Sequence, residues 1–170
     1  MIKLLLIFAP WLTIIQPDVV SHKDPQSVDV YVFLACECPI SQKYVPILNS
    51  IYSTYKDTPG FNWTFVIPGR IKKSEVQTFI KEFDVQFPLE VDARTNTVKK
   101  LHASTTPQVI IVKDSIVYTG AIDNWFYELG KYRREATENY LIDALEAIRQ
   151  GRGPTVSETE AVGCPIAIPK

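Results

Sequence analysis

The chain has 170 residues, of which 46% are apolar and 22% charged, and its formal net charge is −1. A chain of this length can bury a core of its own in one domain, and this composition is that of a globular protein. Because the net charge is close to zero and the basic residues are spread along the chain, we predict no nucleic-acid partner.

The first residues form a separate segment, which we predict to be a signal peptide over residues 1–21. Lys3 precedes an apolar run over residues 4–15, which is too short to span a bilayer and is interrupted by Pro10. The small residue Ser21 suits cleavage directly after it. We therefore expect export, to the periplasm, without stable membrane insertion after cleavage; an uncleaved N-terminal anchor is the alternative. Disulfides persist in such an oxidising compartment.

Strand and helix patterns alternate along the rest of the chain. An apolar run over residues 28–34 predicts a strand buried on both faces, and Pro39 opens a helix that Pro46 should kink or break. The later predictions are a strand at 61–67, a helix opened by a capping box of Ser74 and Gln77, a strand at 89–91, a helix at 96–102, hairpin strands at 108–112 and 116–118, and a last helix capped by Thr137.

This order of elements predicts an α/β fold with a mixed central sheet flanked by helices. We place the domain at residues 26–153 and assign residues 154–170 to a C-terminal tail. An aromatic and basic insert, which includes Trp125 and Lys131, follows the hairpin. It packs as part of the core or a lid in one interpretation, and docks a partner in the other.

Two cysteines, Cys36 and Cys38, stand between the first strand and its helix. A thiol at a helix N-terminus feels the positive end of the helix dipole and unpaired backbone N–H groups, which favour the thiolate. We therefore interpret Cys38 as a nucleophile; the alternative is a small buried hydrophobic residue. Cys36 could bridge Cys38 through a strained small ring, join it in metal binding, or be inert.

The third cysteine, Cys164, lies in the tail, where no core periodicity is present. We interpret it as a resolving thiol that folds back to Cys38 or as half of a fixed bridge, since a lone exposed thiol is a liability in an oxidising compartment. Gly163 and the polar residues 157–160 would supply the mobility that thiol exchange needs.

Several segments together resemble a known family. They are residues 37–44, the Thr105-Thr106-Pro107 sequence before the hairpin, residues 118–124 and residues 162–166. They resemble the thioredoxin-fold redoxins, and within these the alkyl hydroperoxide reductase/thiol-specific antioxidant-like proteins that bacteria export. The resemblance extends from about residue 28 to residue 166.

The resemblance implies a thioredoxin-like three-layer fold and a thiol–disulfide oxidoreductase that needs no cofactor. It implies that Cys38 attacks, that Cys164 or Cys36 resolves the mixed disulfide, and that Pro107 follows a cis peptide bond and faces Cys38. The backbone of Thr106 would then pair with an extended substrate. The implied partners are protein thiols and disulfides, small oxidised thiols or peroxide, with a thioredoxin-like electron donor closing the cycle.

The chain departs from the family pattern at several positions. Ser41 stands where a dithiol thioredoxin motif has its second cysteine; its hydroxyl cannot resolve a disulfide but could stabilise the thiolate. Ala35 and Tyr31 stand where peroxiredoxins have a threonine and a proline, which weakens the case for peroxide reduction.

Two other classes of function stay open at this point. One is a Cu(I)-handling module, in which Cys36 and Cys38, with His102 as an optional third ligand, would hold a soft ion that suits thiolates. The other is a non-catalytic interaction domain whose cysteines only staple the fold.

Overall fold

The computed structural model of the protein describes residues 27–168. The predicted signal peptide, residues 1–21, lies outside the described residues. Within residues 27–168, no helix has both the length and the apolar character that crossing a membrane requires.

The elements follow one another in the alternating order that the sequence predicts. In chain order they are β1 (Val28–Phe33), α1 (Pro39–Tyr55), β2 (Phe61–Pro68), α2 (Lys73–Glu82), β3 (Leu89–Asp92), α3 (Asn96–Leu101), β4 (Thr105–Thr106), β5 (Gln108–Val112), β6 (Ile116–Gly120), β7 (Phe126–Glu128), β8 (Lys131–Tyr132), α4 (Tyr140–Arg149) and β9 (Cys164–Pro165).

A five-stranded mixed sheet with the order β3-β2-β1-β5-β6 forms the centre of the molecule. β1, β2 and β3 run parallel, while β5 is antiparallel to β1 and β6 is antiparallel to β5. β1 is therefore an inner strand, paired on both edges, and its carboxyl end points into the turn that holds Cys36 and Cys38. This position explains why its sequence is almost continuously apolar.

Helices cover both faces of the sheet, which confirms the predicted fold class. Successive strand residues point to opposite faces, so Phe65 and Val66 belong to different apolar clusters. The larger cluster packs β1, β2 and β5 against α1 and α4, while the smaller one packs Phe33, Val66 and Ile110 against Val98 and Leu101 of α3.

Helix α1 continues through Pro46, so of the two predicted outcomes, a kink or a break, the break into two helices is wrong. Proline removes one donor, which would have bonded the carbonyl four residues earlier, at Gln42. Pro46 is exposed, so water can hydrate the freed carbonyl while the buried face of α1 holds the helix to the sheet.

Both predicted helix caps are wrong. Helix α2 begins at Lys73 after the N-cap Lys72, so Ser74 lies inside its first turn. Helix α4 has Asn139 as its N-cap, and the Thr137 hydroxyl instead accepts a hydrogen bond from Asn124 Nδ2 over 2.9 Å. A tertiary contact thus uses the side chain that the local pattern assigned to capping.

Two small two-stranded sheets were not predicted. β7 and β8 form a hairpin within the aromatic and basic insert, and β4 pairs with β9 from the tail. The insert serves the core in part, because Phe126 is buried and its ring lies 5.7 Å from that of Tyr44 on α1. Its tip, by contrast, exposes Tyr127 and Leu129.

Candidate active site

Cys38 occupies the N-cap position of α1 and is fully buried. An N-cap side chain accepts hydrogen bonds from the backbone N–H groups of the second and third helical residues, here Ile40 and Ser41. Pro39, the first helical residue, has no N–H to satisfy. No acidic side chain lies in the first turn of the helix. In the disulfide-bonded structure the Cys38 side chain makes no such cap hydrogen bond. After reduction, a thiolate in this position would be stabilised by these backbone donors and by the positive end of the helix dipole.

The turn that carries Cys36 and Cys38 is fastened to α1 by two side chains. Ser41, itself fully buried, accepts a hydrogen bond from the Ala35 backbone N–H over 3.2 Å. Gln42 Nε2 donates to the Cys36 carbonyl oxygen over 2.8 Å. The Ser41 hydroxyl, which could stabilise the thiolate through its own O–H, thus also fixes the shape of the turn.

Cys38 and Cys164 form a disulfide bond, with their Cα atoms 6.1 Å apart and 126 positions apart in the chain. The Cys38 Sγ also lies 3.2 Å from the Thr106 carbonyl oxygen, which would accept a hydrogen bond from the thiol after reduction. Cys164 is half-buried while Cys38 is fully buried. The structure thus brings together three predicted site residues, Cys38, Cys164 and Thr106, from distant parts of the chain.

The peptide bond between Thr106 and Pro107 is cis. Before it, β4 pairs antiparallel with β9, so that Thr106 lies opposite Cys164 and Thr105 lies opposite Pro165. The ladder continues with the Ile166 N–H, which donates to the Ser104 carbonyl oxygen over 2.8 Å. The Thr106 hydroxyl donates to the Cys164 carbonyl oxygen over 3.3 Å. The backbone that was predicted to pair with a substrate therefore pairs with the chain's own tail.

Gln108 supports this segment, a role that the sequence analysis missed. Its Oε1 accepts hydrogen bonds from the N–H groups of Ser104 and Thr105, over 2.9 Å and 3.2 Å. Its Nε2 donates to Thr119 Oγ1 over 3.3 Å. The sequence feature that could have indicated this role is a polar residue at the start of an otherwise apolar strand. A buried polar side chain needs hydrogen-bond partners.

The tail is also anchored upstream of Cys164, at β6. The Thr119 N–H donates to the Ser157 carbonyl oxygen, and the Thr159 N–H donates to the Thr119 carbonyl oxygen, each over 3.0 Å. Thr159 Oγ1 accepts the Ala121 N–H over 2.9 Å and contacts the Tyr118 hydroxyl at 2.9 Å. Part of the polar stretch that was expected to supply mobility is thus hydrogen-bonded to the domain.

An open cleft of about 320 Å³ lies beside the disulfide. Thr106 and Cys164 line it together with Glu37 and Arg70, two exposed side chains of opposite charge. The cleft gives solvent and small reactants a path to the half-buried Cys164 end of the bridge.

Cys36 is a free thiol and lies in different surroundings. It lines a cavity of about 330 Å³ with the apolar side chains of Phe79 on α2 and Phe83 at the end of that helix. Burial first, and then the negative charges of Glu37 and Glu75, raise the pKa of Cys36 to about 11. Of the two candidate resolving cysteines, the structure joins Cys164 to Cys38 and leaves Cys36 as a protonated thiol at neutral pH.

The Cu(I) hypothesis placed the ion at the turn, between Cys36 and Cys38. Among residues 27–168, no group of at least three His, Cys, Asp or Glu side chains is placed to hold a metal ion. Cys38 is engaged with Cys164, and His102 is an exposed residue directly after α3.

A buried polar pair supports α1 one and a half turns beyond Cys38. The Tyr44 hydroxyl donates to Asp123 Oδ1 over 2.5 Å, and that oxygen also accepts the Trp125 N–H over 2.8 Å. Burial, followed by the hydrogen bond to Asp123, raises the pKa of the Tyr44 hydroxyl far above its usual range, so it stays protonated and donates. The pair joins α1 to the loop before the aromatic insert.

Comparison with known proteins finds similarity in structure rather than in sequence families. No family model matches the chain, and no curated protein matches it. The chain is similar to the solved structure of the hypothetical protein SMc02350 from Sinorhizobium meliloti 1021, with a TM-score of 0.71 and 21% identity over 85% of this chain and 80% of that one.

Two further solved structures are similar. An uncharacterized conserved protein from Geobacillus kaustophilus has a TM-score of 0.62 and 19% identity over 83% of this chain and 77% of that one. StoA from Bacillus subtilis has a TM-score of 0.50 and 22% identity over 56% of this chain and 74% of that one. Together with the strand order and the position of the cis proline, these likenesses show that the chain has a thioredoxin-like fold.

Proposed function

We propose that the protein is a thiol–disulfide oxidoreductase in which Cys38 is the nucleophile and Cys164 the resolving cysteine. The observation that carries this proposal is the bond between Cys164 and the N-cap residue of α1. The substrates are protein disulfides or small oxidised thiols, and a dithiol protein of thioredoxin type restores the reduced form.

The proposed cycle balances as two successive exchanges. The Cys38 thiolate attacks one sulfur of a substrate disulfide, so a mixed disulfide forms and the other substrate sulfur leaves as a thiolate with the electron pair of the broken bond. The Cys164 thiolate then attacks the Cys38 sulfur, and the first substrate sulfur leaves in turn. The substrate gains two electrons and the protein becomes oxidised at Cys38 and Cys164.

The environments of the two sulfurs support this division of roles. Backbone N–H groups at the start of α1 stabilise a thiolate on Cys38, which makes it both the nucleophile and the better leaving group. Cys164 is the half-buried cysteine of the bridge and lines the open cleft. An incoming reductant thiolate would therefore attack the Cys164 sulfur and release Cys38.

Within this activity, we propose that the chain is a redoxin of the alkyl hydroperoxide reductase/thiol-specific antioxidant-like type, and that residues 1–21 direct its export and are then removed. The motifs around Cys38 and Cys164 support the type. A disulfide between these cysteines suits an oxidising compartment, because cytosolic reductants keep thiols reduced.

The test is disulfide reduction with insulin as substrate and dithiothreitol as electron donor. We expect Cys38→Ser to lower the rate to that of dithiothreitol alone, since no other sulfur lies at a helix N-terminus within the described residues. Cys164→Ser that is reduced and then freed of dithiothreitol before insulin is added should accumulate a mixed disulfide on Cys38, detected by mass spectrometry, because neither Cys164 nor a free dithiol is present for the second exchange.

Cys36→Ser is the matched control, since it removes a sulfur two residues away without touching the bridge. It should keep the wild-type rate. Equal rates for Cys38→Ser and wild type, or loss of activity in Cys36→Ser alone, would contradict the assignment of Cys38 as the nucleophile.

A further inference from the structure

The tail occupies β4 as an extended peptide would. Antiparallel pairing, the covalent bond and the Thr106 hydroxyl all fix it in one register, with Cys164 opposite Thr106. Cys38 has no exposed surface in this arrangement. A substrate chain can reach Cys38 through β4 only when the tail has left this edge.

Gly163, the residue before Cys164, lies close against the backbone of β4. A Cβ atom there would lie 2.6 Å from the Thr106 carbonyl carbon and 2.9 Å from Thr105 Cγ2, and nearer still to the Thr106 carbonyl oxygen. Real Cβ atoms essentially never come so close, and the obstacle is mostly backbone, which cannot rotate away. The φ angle of Gly163 is not in the left-handed region, so its backbone conformation does not require glycine. Glycine is required because no room exists for a Cβ atom.

The two residues after Cys164 also fit this edge. In an antiparallel pair, the N–H groups of alternate residues point to the partner strand. The Ile166 N–H bonds to Ser104, so the nitrogen of Pro165 points away from β4 and its missing N–H costs no hydrogen bond. The Ile166 side chain packs against the smaller apolar cluster.

We propose that the β4 edge is a docking site for extended polypeptide segments in which glycine directly precedes the reacting cysteine and an apolar side chain follows two residues after it. The tail, through Gly163, Cys164 and Ile166, is the tethered occupant of this site and competes with substrate for it. The proposal rests on the proposed function and adds the sequence that the site selects.

The first test uses Gly163→Ala to measure how strongly docking of the tail at β4 favours the Cys38–Cys164 bond. The Cys38–Cys164 bond is equilibrated with glutathione, and two glutathione thiols reduce it as one oxidised glutathione forms. We expect at least a tenfold shift toward the dithiol, because an alanine cannot dock without moving the backbone of Thr106. Gly153→Ala is the matched control, since a Cβ there meets nothing within 4 Å and its φ is also outside the left-handed region.

The second test uses external peptides and the full chain carrying Cys36→Ser and Cys164→Ser. The peptide Val-Gly-Cys-Pro-Ile and its Val-Ala-Cys-Pro-Ile counterpart are prepared as mixed disulfides with thionitrobenzoate. Attack by the Cys38 thiolate on the peptide sulfur forms the protein–peptide disulfide and releases the coloured thionitrobenzoate anion. We expect the glycine peptide to react at least ten times faster than the alanine peptide. The non-covalently docked tail slows both reactions by the same factor.

The outcomes separate this proposal from the proposed function. Equal rates for the two peptides, or a glutathione equilibrium of Gly163→Ala equal to that of Gly153→Ala, would overturn the glycine requirement and leave thiol exchange standing. The symmetric disulfide of thionitrobenzoate is the control reagent for thiol exchange without a peptide. If neither peptide nor this reagent released thionitrobenzoate, the proposed function itself would be overturned.

Discussion

Two cysteines separated by one residue lie in contrasting surroundings in this protein. Cys38 is the N-cap of α1, at the positive end of the helix dipole, whereas Cys36 lines a cavity beside α2 and feels the negative charges of two carboxylates. The strand ends at Phe33, so the two side chains do not share a strand face and need not act together. Reactivity is set by the surroundings of each sulfur and not by its place in the sequence.

The pH dependence of Cys36 alkylation provides a residue-scale prediction. In the oxidised protein Cys36 is the remaining thiol, and burial raises its pKa from the ordinary 9.0 to about 11. Since the thiolate reacts, the iodoacetamide rate near pH 8 should be about a hundredth of that of an exposed cysteine, and it should rise tenfold per pH unit until about pH 11. Mass spectrometry of quenched samples measures the rate.

Glu37→Gln should shift this profile to lower pH, because the charge of Glu37 is the second cause of the raised pKa. Glu135→Gln, an exposed residue in another part of the chain, is the control and should leave the profile unchanged. Alkylation of Cys36 at neutral pH as fast as in a denatured sample would show that burial does not protect this thiol.

The sequence predicted the local surroundings of Cys38 better than its long-range contacts. The position of Cys38 between a strand and a proline-started helix is a local pattern, and it identified the N-cap environment. The partner of Cys38 was left open between Cys36 and Cys164, because no local pattern fixes where a tail returns. Gln108 was missed for the same reason, since its role depends on loops that tertiary contacts bring together.

At the scale of elements, the tail behaves as two pieces. Residues 157–159 are bonded to the edge of β6, and β9 is bonded to β4 and to Cys38. The first piece contains no cysteine, so reduction removes covalent support only from the second. The upstream anchor would keep Cys164 near Cys38 in the reduced protein, which raises the effective concentration of the resolving thiol.

Gly120→Ala tests the upstream anchor. Gly120 has a φ of +146°, and a Cβ there would lie 2.8 Å from the Thr159 nitrogen and closer to two other Thr159 atoms. We expect a loss in the free energy of unfolding above the roughly 1–2 kcal/mol that the backbone conformation alone costs. Hydrogen exchange at the Thr119 amide, which donates to Ser157, should accelerate as the anchor detaches.

Gly69→Ala is the matched control for that prediction. Gly69 also has a positive φ, +86°, but a Cβ there meets nothing within 4 Å. It should therefore show the backbone cost alone, in urea denaturation, with unchanged exchange at Thr119. Equal losses for the two variants, with Thr119 still protected in both, would contradict an anchor at Thr159.

The sequence predicted the elements whose apolar residues recur at the spacing of a helix or a strand. The five strands of the central sheet and the four helices carry apolar patterns that repeat within each segment, and all were found near their predicted bounds. β4 and β9 contain two residues each, too few for any period. These two strands pair because the disulfide holds the tail beside β4 and Gln108 holds the backbone of the segment that contains β4. The two cap predictions were wrong because α2 and α4 begin after Lys72 and Asn139, and neither of these residues makes the side-chain hydrogen bond on which the predictions relied.

At the scale of the whole molecule, the disulfide closes almost the entire described domain into one loop. Its cysteines are 126 positions apart, and every strand of the central sheet except β1 lies within that span. Both apolar clusters, however, are built mainly from the sheet and the helices, and Cys164 and Ile166 lie only at their margins. The core therefore has its own basis for stability, and the bridge adds to it.

Reduction should accordingly weaken the fold without abolishing it. A bridge over so long a loop restricts the unfolded chain, so we expect reduction or Cys164→Ser to lower the free energy of unfolding by about 2–5 kcal/mol. Urea denaturation with and without reductant measures the loss, and Cys36→Ser, which leaves the bridge intact, should match the wild-type oxidised protein. A reduced form that still unfolds cooperatively can take part in a redox cycle. A reduced form without a cooperative transition could not, and the bridge would then be a structural staple of a non-catalytic domain.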